Sequence, residues 1–444
     1  MPPLRPSPLG VRLTHHPLRP LVLLSAAVFA SRLPAQAPAS PSADTISATD
    51  RARIAAQIDA LIRRTFAHWA GVPGLQGARY DSLAAAYRAR VAAASDRRAF
   101  DFETMAFMGA LRNGHTDFYD AWLFTRDEAP LPFGLRPIGG QWLVVWSRAP
   151  EVRPGDIVAA LDGEPFDTLF LRQRRYISAS SERQAQLAFP SRAYLFPAAF
   201  TLGLADGRAV AVRRAWPAAE VPAAAEWVPH RWLAADTVAY VAVPRFNDAA
   251  YQRDALAAVR RYQHAPALVL DLRNNGGGNT PWRLAKALTG DGWVGGLRPE
   301  RDLAPMNFFM RLAARPVVAL ARVPRYRGRV FVLVNGGCAS ACEDLVAGLR
   351  GRPNVTLVGD TTFGSTGQPV FATFDNGMRA RVSARRYVTA AGRPFEGVGI
   401  PPDVWEVPTP ATLATGEDPV LARALTLARA AVGRAPAAQR GASH

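Results

Sequence analysis

The sequence predicts a multi-domain α/β protein: an N-terminal helical domain, a β-rich middle domain and a layered α/β core with a largely parallel sheet. Three observations carry this expectation. Between residues 50 and about 113, apolar side chains recur at helical spacing: Ile54, Ile58, Leu61 and Ile62, then Leu83, Tyr87 and Val91, then Met105, Met108 and Leu111. From about 130 to 216 the pattern shortens into strands separated by turn residues. From about 225 onward, apolar β-branched runs alternate with helical segments, the pattern of strands buried on both faces between helices.

The elements run in order along the chain. The helical domain, residues 50–125, is punctuated at Pro73-Gly74 and ends near Asn113-Gly114-His115-Thr116-Asp117, where Asn-Gly signals a turn. In the β-rich domain, 130–216, Val152-Arg153-Pro154-Gly155-Asp156-Ile157 leads to Asp162-Gly163, and Thr201 to Arg214 reads as a hairpin around Asp206-Gly207. In the core, 225–434, the strand candidates are Val238 to Val243, Ala267 to Asp271, Val330 to Val334 and Val355 to Val358. Helices are expected at Asp248 to Gln263, Trp282 to Leu288, Glu343 to Leu349 and Pro419 to Val432, before a disordered tail at 435–444. No internal repeat is visible.

The first 37 residues stand apart. Arg5, Arg12 and Arg19 make a positive leader, Leu21 to Ala30 is a short apolar run, and Ala35-Gln36-Ala37 is a small-residue cleavage site. This is the pattern of a signal peptide, and the run is about half of the roughly 20 residues that span a bilayer. The expected location is therefore periplasmic or secreted, without stable membrane insertion once residues 1–37 are removed. Residues 38–49, rich in Pro, Ala and Ser, are expected to be a disordered linker.

The formal net charge of +17 would suit a nucleic-acid binder. Its distribution does not. Lys286 is the only lysine, and the arginines are scattered along the chain instead of forming the stripe that phosphate tracking requires. The histidines and cysteines form no metal-ligand spacing, so neither metal nor other cofactor is expected.

Two glycine-rich segments carry the chemistry. Asp271-Leu272-Arg273-Asn274-Asn275-Gly276-Gly277-Gly278-Asn279 follows one strand candidate and precedes a helix. Its glycines let the backbone turn sharply and aim N–H groups into a cleft. Neither phosphate-binding glycine pattern is matched, and no lysine stands there to reach a phosphate. Asn335-Gly336-Gly337-Cys338-Ala339-Ser340-Ala341-Cys342-Glu343 likewise links strand to helix. A serine on such a turn is exposed beside free N–H groups, as a nucleophile needs, but Ser340-x-x-Glu343 is equally a capping box.

Together these segments resemble the C-terminal-processing, tail-specific and tricorn-core serine peptidases. Gly359-Asp360-Thr361-Thr362-Phe363-Gly364 and Glu396-Gly397-Val398-Gly399-Ile400-Pro401-Pro402-Asp403 continue the resemblance in the same order. Residues 130–216 resemble a PDZ domain, with Phe133-Gly134-Leu135 as its carboxylate-binding loop, although Phe166 to Ala199 is longer than a compact PDZ domain needs. Residues 130–216 are therefore either a peptide-binding groove or a structural spacer.

The resemblance implies an exported serine peptidase acting on peptides or unfolded proteins, with Ser340 as nucleophile. It implies an oxyanion hole from the N–H groups of Ala341 and of Gly276 or Gly277, supported by Glu343, Asp271 and Thr362. Tail-specific members place a lysine base after Thr-Phe-Gly, where this chain has Ser365. Tricorn-like members use a histidine and a glutamate, matched by His115 and Glu396. Some of them carry a serine just before the histidine, where this chain has Gly114, so that role is unfilled or taken by another group. The other reading is a catalytically inactive peptide- or ligand-binding protein on the same fold. Cys338 and Cys342, bracketing Ser340, are a disulfide or a buried pair of thiols.

Overall fold

The computed structural model describes residues 45–127, 129–214, 227–290, 297–303, 323–389 and 391–433. The expected signal peptide and C-terminal tail, and all of the linker before residue 45, lie outside them.

The described residues begin with three α-helices. Helix α1 (Ala48–Thr65) starts where the Ser47 side chain accepts from the Asp50 N–H, and α3 (Arg97–Ala110) where Asp96 accepts from Ala99, after α2 (Ala78–Ala92). Their apolar stripes meet: Ile54, Ile58, Tyr87, Phe100 and Phe107 are fully buried. Strand β1 (Asp117–Asp120) and the short helix α4 (Ala121–Asp127) come next. Arg97 Nε and Nη2 reach both Asp120 carboxylate oxygens at 2.7 and 2.8 Å, tying the start of α3 to the end of β1.

The β-rich part contains β2 (Phe133–Ile138), β3 (Gln141–Ser147), β4 (Ile157–Leu161), β5 (Glu164–Pro165), β6 (Ala199–Leu204) and β7 (Ala209–Arg213). They form an antiparallel sheet in the order β2-β3-β4-β6-β7, with β5 on β4. Asp162 and Gly163 both have positive φ (50° and 80°), the two-residue hairpin geometry their sequence favours. Between β5 and β6 lies an insertion with helices α5 (Phe166–Gln173) and α6 (Glu182–Ala188).

The described remainder of the chain holds the parallel layer and the strands beside it: β8 (His230–Ala234), β9 (Val238–Ala242), α7 (Ala249–Arg261), β10 (Ala267–Asp271), α8 (Trp282–Thr289), β11 (Leu297–Asp302), β12 (Arg329–Val334), α9 (Ala341–Leu349), β13 (Val355–Gly359), β14 (Pro369–Thr373), β15 (Met378–Ser383), β16 (Arg385–Thr389), β17 (Val404–Trp405), α10 (Pro410–Thr415) and α11 (Pro419–Gly433). The sheet runs β17-β13-β12-β10-β9-β8, parallel except for the antiparallel edge β8. Helices α7, α8 and α9 cover one face and α11 the other, which is why β10 is buried at every residue.

Two smaller pairings tie the parts together. β1 joins β15 and β14 in a three-stranded sheet, so the segment after His115 is stitched to the core, and β11 pairs with β16. No described helix is long and apolar enough to cross a membrane.

Candidate active site

The two glycine-rich loops leave the carboxyl ends of adjacent parallel strands, β10 and β12, where α/β sheets hold their ligands. They latch to one another. Asn335 Oδ1 accepts from the N–H groups of Asn274 and Gly337, both at 2.9 Å, and the Ala339 N–H reaches Asn275 O at 3.0 Å. Gly277 has φ +94°, and a Cβ there would lie 2.7 Å from the Ser340 Cβ. Only glycine fits that crossing.

Ser340 stands at the tip of the second loop with φ 57° and ψ −123°, a rare backbone state for a residue with a side chain. It is the sharp strand-to-helix turn that exposes a nucleophile. Its N–H lies 2.9 Å from Ser365 O and 3.3 Å from Glu343 Oε2. Glu343 is wholly buried and also accepts from Thr362 Oγ1 (2.5 Å) and from the N–H groups of Gly364 (2.6 Å) and Ser365 (2.9 Å). Burial pushes Glu343 up to about 8, against these donors. Glu343 and Thr362 thus join the Ser340 turn to the 362–365 loop. Asp271 is engaged elsewhere, accepting from Arg273 and from Tyr240 (2.9 Å).

Cys338 and Cys342 form a disulfide with Cα atoms 5.5 Å apart. Both residues are fully buried, and the bridge closes the base of the Ser340 turn.

His115 comes from the turn after α3. Asn113 Oδ1 accepts from the His115 N–H and from Thr116 Oγ1, both at 3.0 Å, and pairing of β1 with β15 anchors the chain from Asp117 onward. The ring is buried, with Nε2 3.3 Å from Ser340 Oγ. Nδ1 does not meet Glu396. It meets Ser365 Oγ at 2.7 Å, and Ser365 Oγ donates to Glu396 Oε1 at 2.8 Å. Glu396 Oε1 also accepts from the Ser180 hydroxyl and from Asn113 Nδ2 (3.2 Å). Ser365, expected only as the residue replacing a lysine, is the missing link. A Cβ on Gly114 would lie 2.8 Å from Ser365 Oγ.

This geometry sets the direction of the protons. A serine hydroxyl has one proton. With the Ser365 proton given to Glu396, Nδ1 must be the donor to Ser365, and Nε2 is left with a lone pair facing Ser340. Burial, then Arg381, lowers His115 from 6.5 to about 3, while burial raises Glu396 from 4.5 to about 7 against the Ser180 and Ser365 donors.

Beside Ser340, no described acceptor engages the Ala341 or Gly276 N–H, whereas the Gly277 N–H is spent on Asn275 Oδ1 at 2.9 Å. Gly276, not Gly277, therefore has a donor to spare. The cleft over these groups has a volume of about 1230 Å³ and is lined by His115, Ser340 and the β2 residues Phe133, Leu135 and Arg136. Lys286, on α8, does not line it. Among the described residues, no group of three or more His, Cys, Asp or Glu side chains could hold a metal ion.

Residues 237–405 match peptidase family S41. This segment is a peptidase family S41 domain. The S41 domain and its flanks resemble curated processing enzymes. Carboxy-terminal processing protease CtpA of Bacillus subtilis is 29% identical over 151 residues, 34% of this chain and 30% of that one. The chloroplastic C-terminal processing peptidase of Tetradesmus obliquus is 30% identical over 172 residues, 37% and 34% of the two chains. Carboxyl-terminal-processing peptidase 2 of Arabidopsis thaliana, also chloroplastic, is 28% identical over 277 residues, 59% and 49%. The chain thus spans about a third to a half of the length of these relatives. The fold likeness reaches beyond the S41 domain. Mature CPAF superposes with a TM-score of 0.68 over 88% of this chain and 98% of that one, at 13% identity. Mature CPAF complexed with lactacystin gives 0.63, over 87% and 99%, at 12% identity.

Proposed function

We propose that the chain is an exported serine peptidase that cleaves peptides or partly unfolded proteins through an acyl-enzyme. The observation that carries this is His115 Nε2 at 3.3 Å from Ser340 Oγ. A serine hydroxyl needs such a base near neutral pH.

Ser340 Oγ bonds to the carbonyl carbon as its proton passes to His115 Nε2. The carbonyl oxygen becomes an oxyanion facing the Gly276 and Ala341 N–H groups at the start of α9, whose dipole favours negative charge. The leaving amine takes the proton from Nε2, and water repeats the cycle in reverse to free the acid. Glu396 acts through Ser365, holding the ring and stabilising its charged form. The carboxyl-terminal-processing relatives support a polypeptide substrate, and β2 across the cleft, in a sheet read as PDZ-like, offers an edge for an extended chain. The Cys338–Cys342 bridge supports an oxidising compartment, in keeping with the leader pattern at residues 1–37.

A serine-directed fluorophosphonate should label Ser340, identified by peptide mapping. Ser340→Ala and His115→Ala should each lower hydrolysis of an unfolded protein by about 10⁴-fold or more with the fold intact, and Lys286→Ala should not. Normal turnover in Ser340→Ala refutes the assignment, and an unlabelled, inactive wild type points to a binding protein.

A further inference from the structure

The insertion between β5 and β6 belongs to the β-rich part whose sequence leaves a peptide groove and a structural spacer equally open. Its contacts give it a task. Arg183 Nη1 donates to Thr362 O at 2.8 Å, and Nη2 donates to Thr361 O at 2.5 Å and to Asp360 at 3.2 Å. Gln184 Nε2 donates to Gly364 O at 2.6 Å, while its Oε1 accepts from the Ser180 N–H at 2.6 Å. A Cβ on Gly336 would lie 2.8 Å from Leu187 Cδ1. The insertion therefore grips both the 360–364 loop and the nucleophile loop. Neither Ser180 nor Gln184 lines the cleft.

Ser180 holds the decisive place. Its Oγ accepts from the Gly114 N–H at 3.1 Å, so its own proton is directed to Glu396 Oε1. That oxygen also takes the Ser365 and Asn113 donors at 2.8 and 3.2 Å. Three donors on one oxygen oppose its protonation. We propose that Ser180, oriented by Gln184, is a positioning residue that locks Glu396 as an acceptor and thereby sets the proton direction through Ser365 to His115. This inference rests on the peptidase reading.

The consequence is a polarity switch. With Glu396 accepting, His115 Nε2 is bare. If Glu396 takes a proton, it can donate to Ser365, Ser365 can donate to Nδ1, and the ring proton moves to Nε2, the atom that must accept from Ser340. Removing Ser180 takes away a donor that keeps Glu396 ionised, so the active polarity is lost at a higher pH. The other charged groups bearing on this network, Glu343 on α9 and the Asp117–Arg381 pair between β1 and β15, with His68 beyond them, are untouched by the change.

The test compares wild type, Ser180→Ala, Ser180→Thr and Gln184→Leu on one peptide from pH 5 to 9 (order-of-magnitude range around the ordinary His and Glu values), with the fluorophosphonate labelling rate followed in parallel. Ser180→Ala should lower kcat about tenfold at pH 7 with KM nearly unchanged, and should move the acid limb upward by about one pH unit. Ser180→Thr, which keeps the hydroxyl, should restore both. Should Ser180→Ala not fold, Gln184→Leu carries the test and must move the limb in the same direction. An unshifted limb in the folded variant, a loss confined to KM, or no recovery with threonine overturns the inference alone. A wild type that neither labels at Ser340 nor turns over overturns the peptidase reading and this inference with it.

Discussion

Replacing Glu396 by glutamine keeps the shape of the relay and removes its charge. Links of 2.7 and 2.8 Å through Ser365 put the Glu396 and His115 charges about 5 Å apart. At an effective dielectric near 20, two unit charges at about that separation interact by about 3 kcal/mol. The imidazolium exists only once His115 has taken the Ser340 proton, so this energy belongs to the transition state, and losing it should lower kcat by roughly a hundredfold. The pH profile should change as well. Burial places Glu396 near 7 and His115 near 3, so the wild-type acid limb belongs to Glu396, and activity falls as pH drops through about 7. Glu396→Gln should be slow but flat across that range. Stability moves oppositely. Because the folded value lies above the ordinary 4.5, the folded state keeps a proton that the unfolded chain releases, and stability is lost as pH rises from about 4.5 to 7. The glutamine variant escapes this loss and should gain on the wild type in melting temperature above pH 7. Steady-state kinetics and thermal melts on the same samples decide it. A wild-type acid limb surviving in Glu396→Gln, or a kcat within threefold of wild type (roughly 0.7 kcal/mol), refutes the relay.

The same geometry carries three further expected outcomes. Gly114→Ser alone should impair activity, since its Cβ would sit 2.8 Å from Ser365 Oγ, and adding Ser365→Gly should recover much of it by returning one hydroxyl to the same space; kcat of the single and double variants checks this. Reducing the Cys338–Cys342 bridge, which closes a loop of sequence separation 4, should lower stability by about 2 kcal/mol in denaturant unfolding; because both sulfurs are bridged, alkylation of the unreduced, denatured protein should add no groups. Asp120→Ala strips the buried Arg97 of its main anionic partner and should cost about 3–5 kcal/mol in the same assay, a loss that a surface pair would not produce.

Much of this was legible because local chemistry and global fold agree. Parallel strands buried on both faces must be apolar runs, so β9, β10, β12 and β13 stand out, and turns needing positive φ must carry glycine or Asn/Asp. The Ser340 loop is legible for the same reason: Gly336, Gly337 and Gly277 are where backbone meets backbone or a side chain too closely for a Cβ. The three-stranded β14-β15-β1 sheet is not legible in this way. β1 and β15 are 264 residues apart at the Asp117–Arg381 pair, and each is a four- to six-residue strand with one polar face, indistinguishable alone from a loop.

The relay shows why a site can be half visible. Motif spacing reports residues that must sit at a fixed backbone position, such as Ser340 on its turn. A bridging hydroxyl has no such requirement: it must occupy one point in space, and any nearby backbone can deliver it. Here that point can be approached from Gly114, beside the histidine, or from Ser365, beside the nucleophile, and the 2.8 Å gap between the hypothetical Gly114 Cβ and Ser365 Oγ means that only one of them can fill it. The signal is therefore Gly114 and Ser365 taken together, a glycine beside the histidine and a serine after Thr362-Phe363-Gly364. Ser365 also has its backbone bound on both sides of the catalytic turn, its carbonyl to Ser340 and its N–H to Glu343, both at 2.9 Å. Delivered from that position, the bridging hydroxyl is fixed to the same backbone as Ser340, and only His115 comes from a distant part of the sequence, the turn after α3.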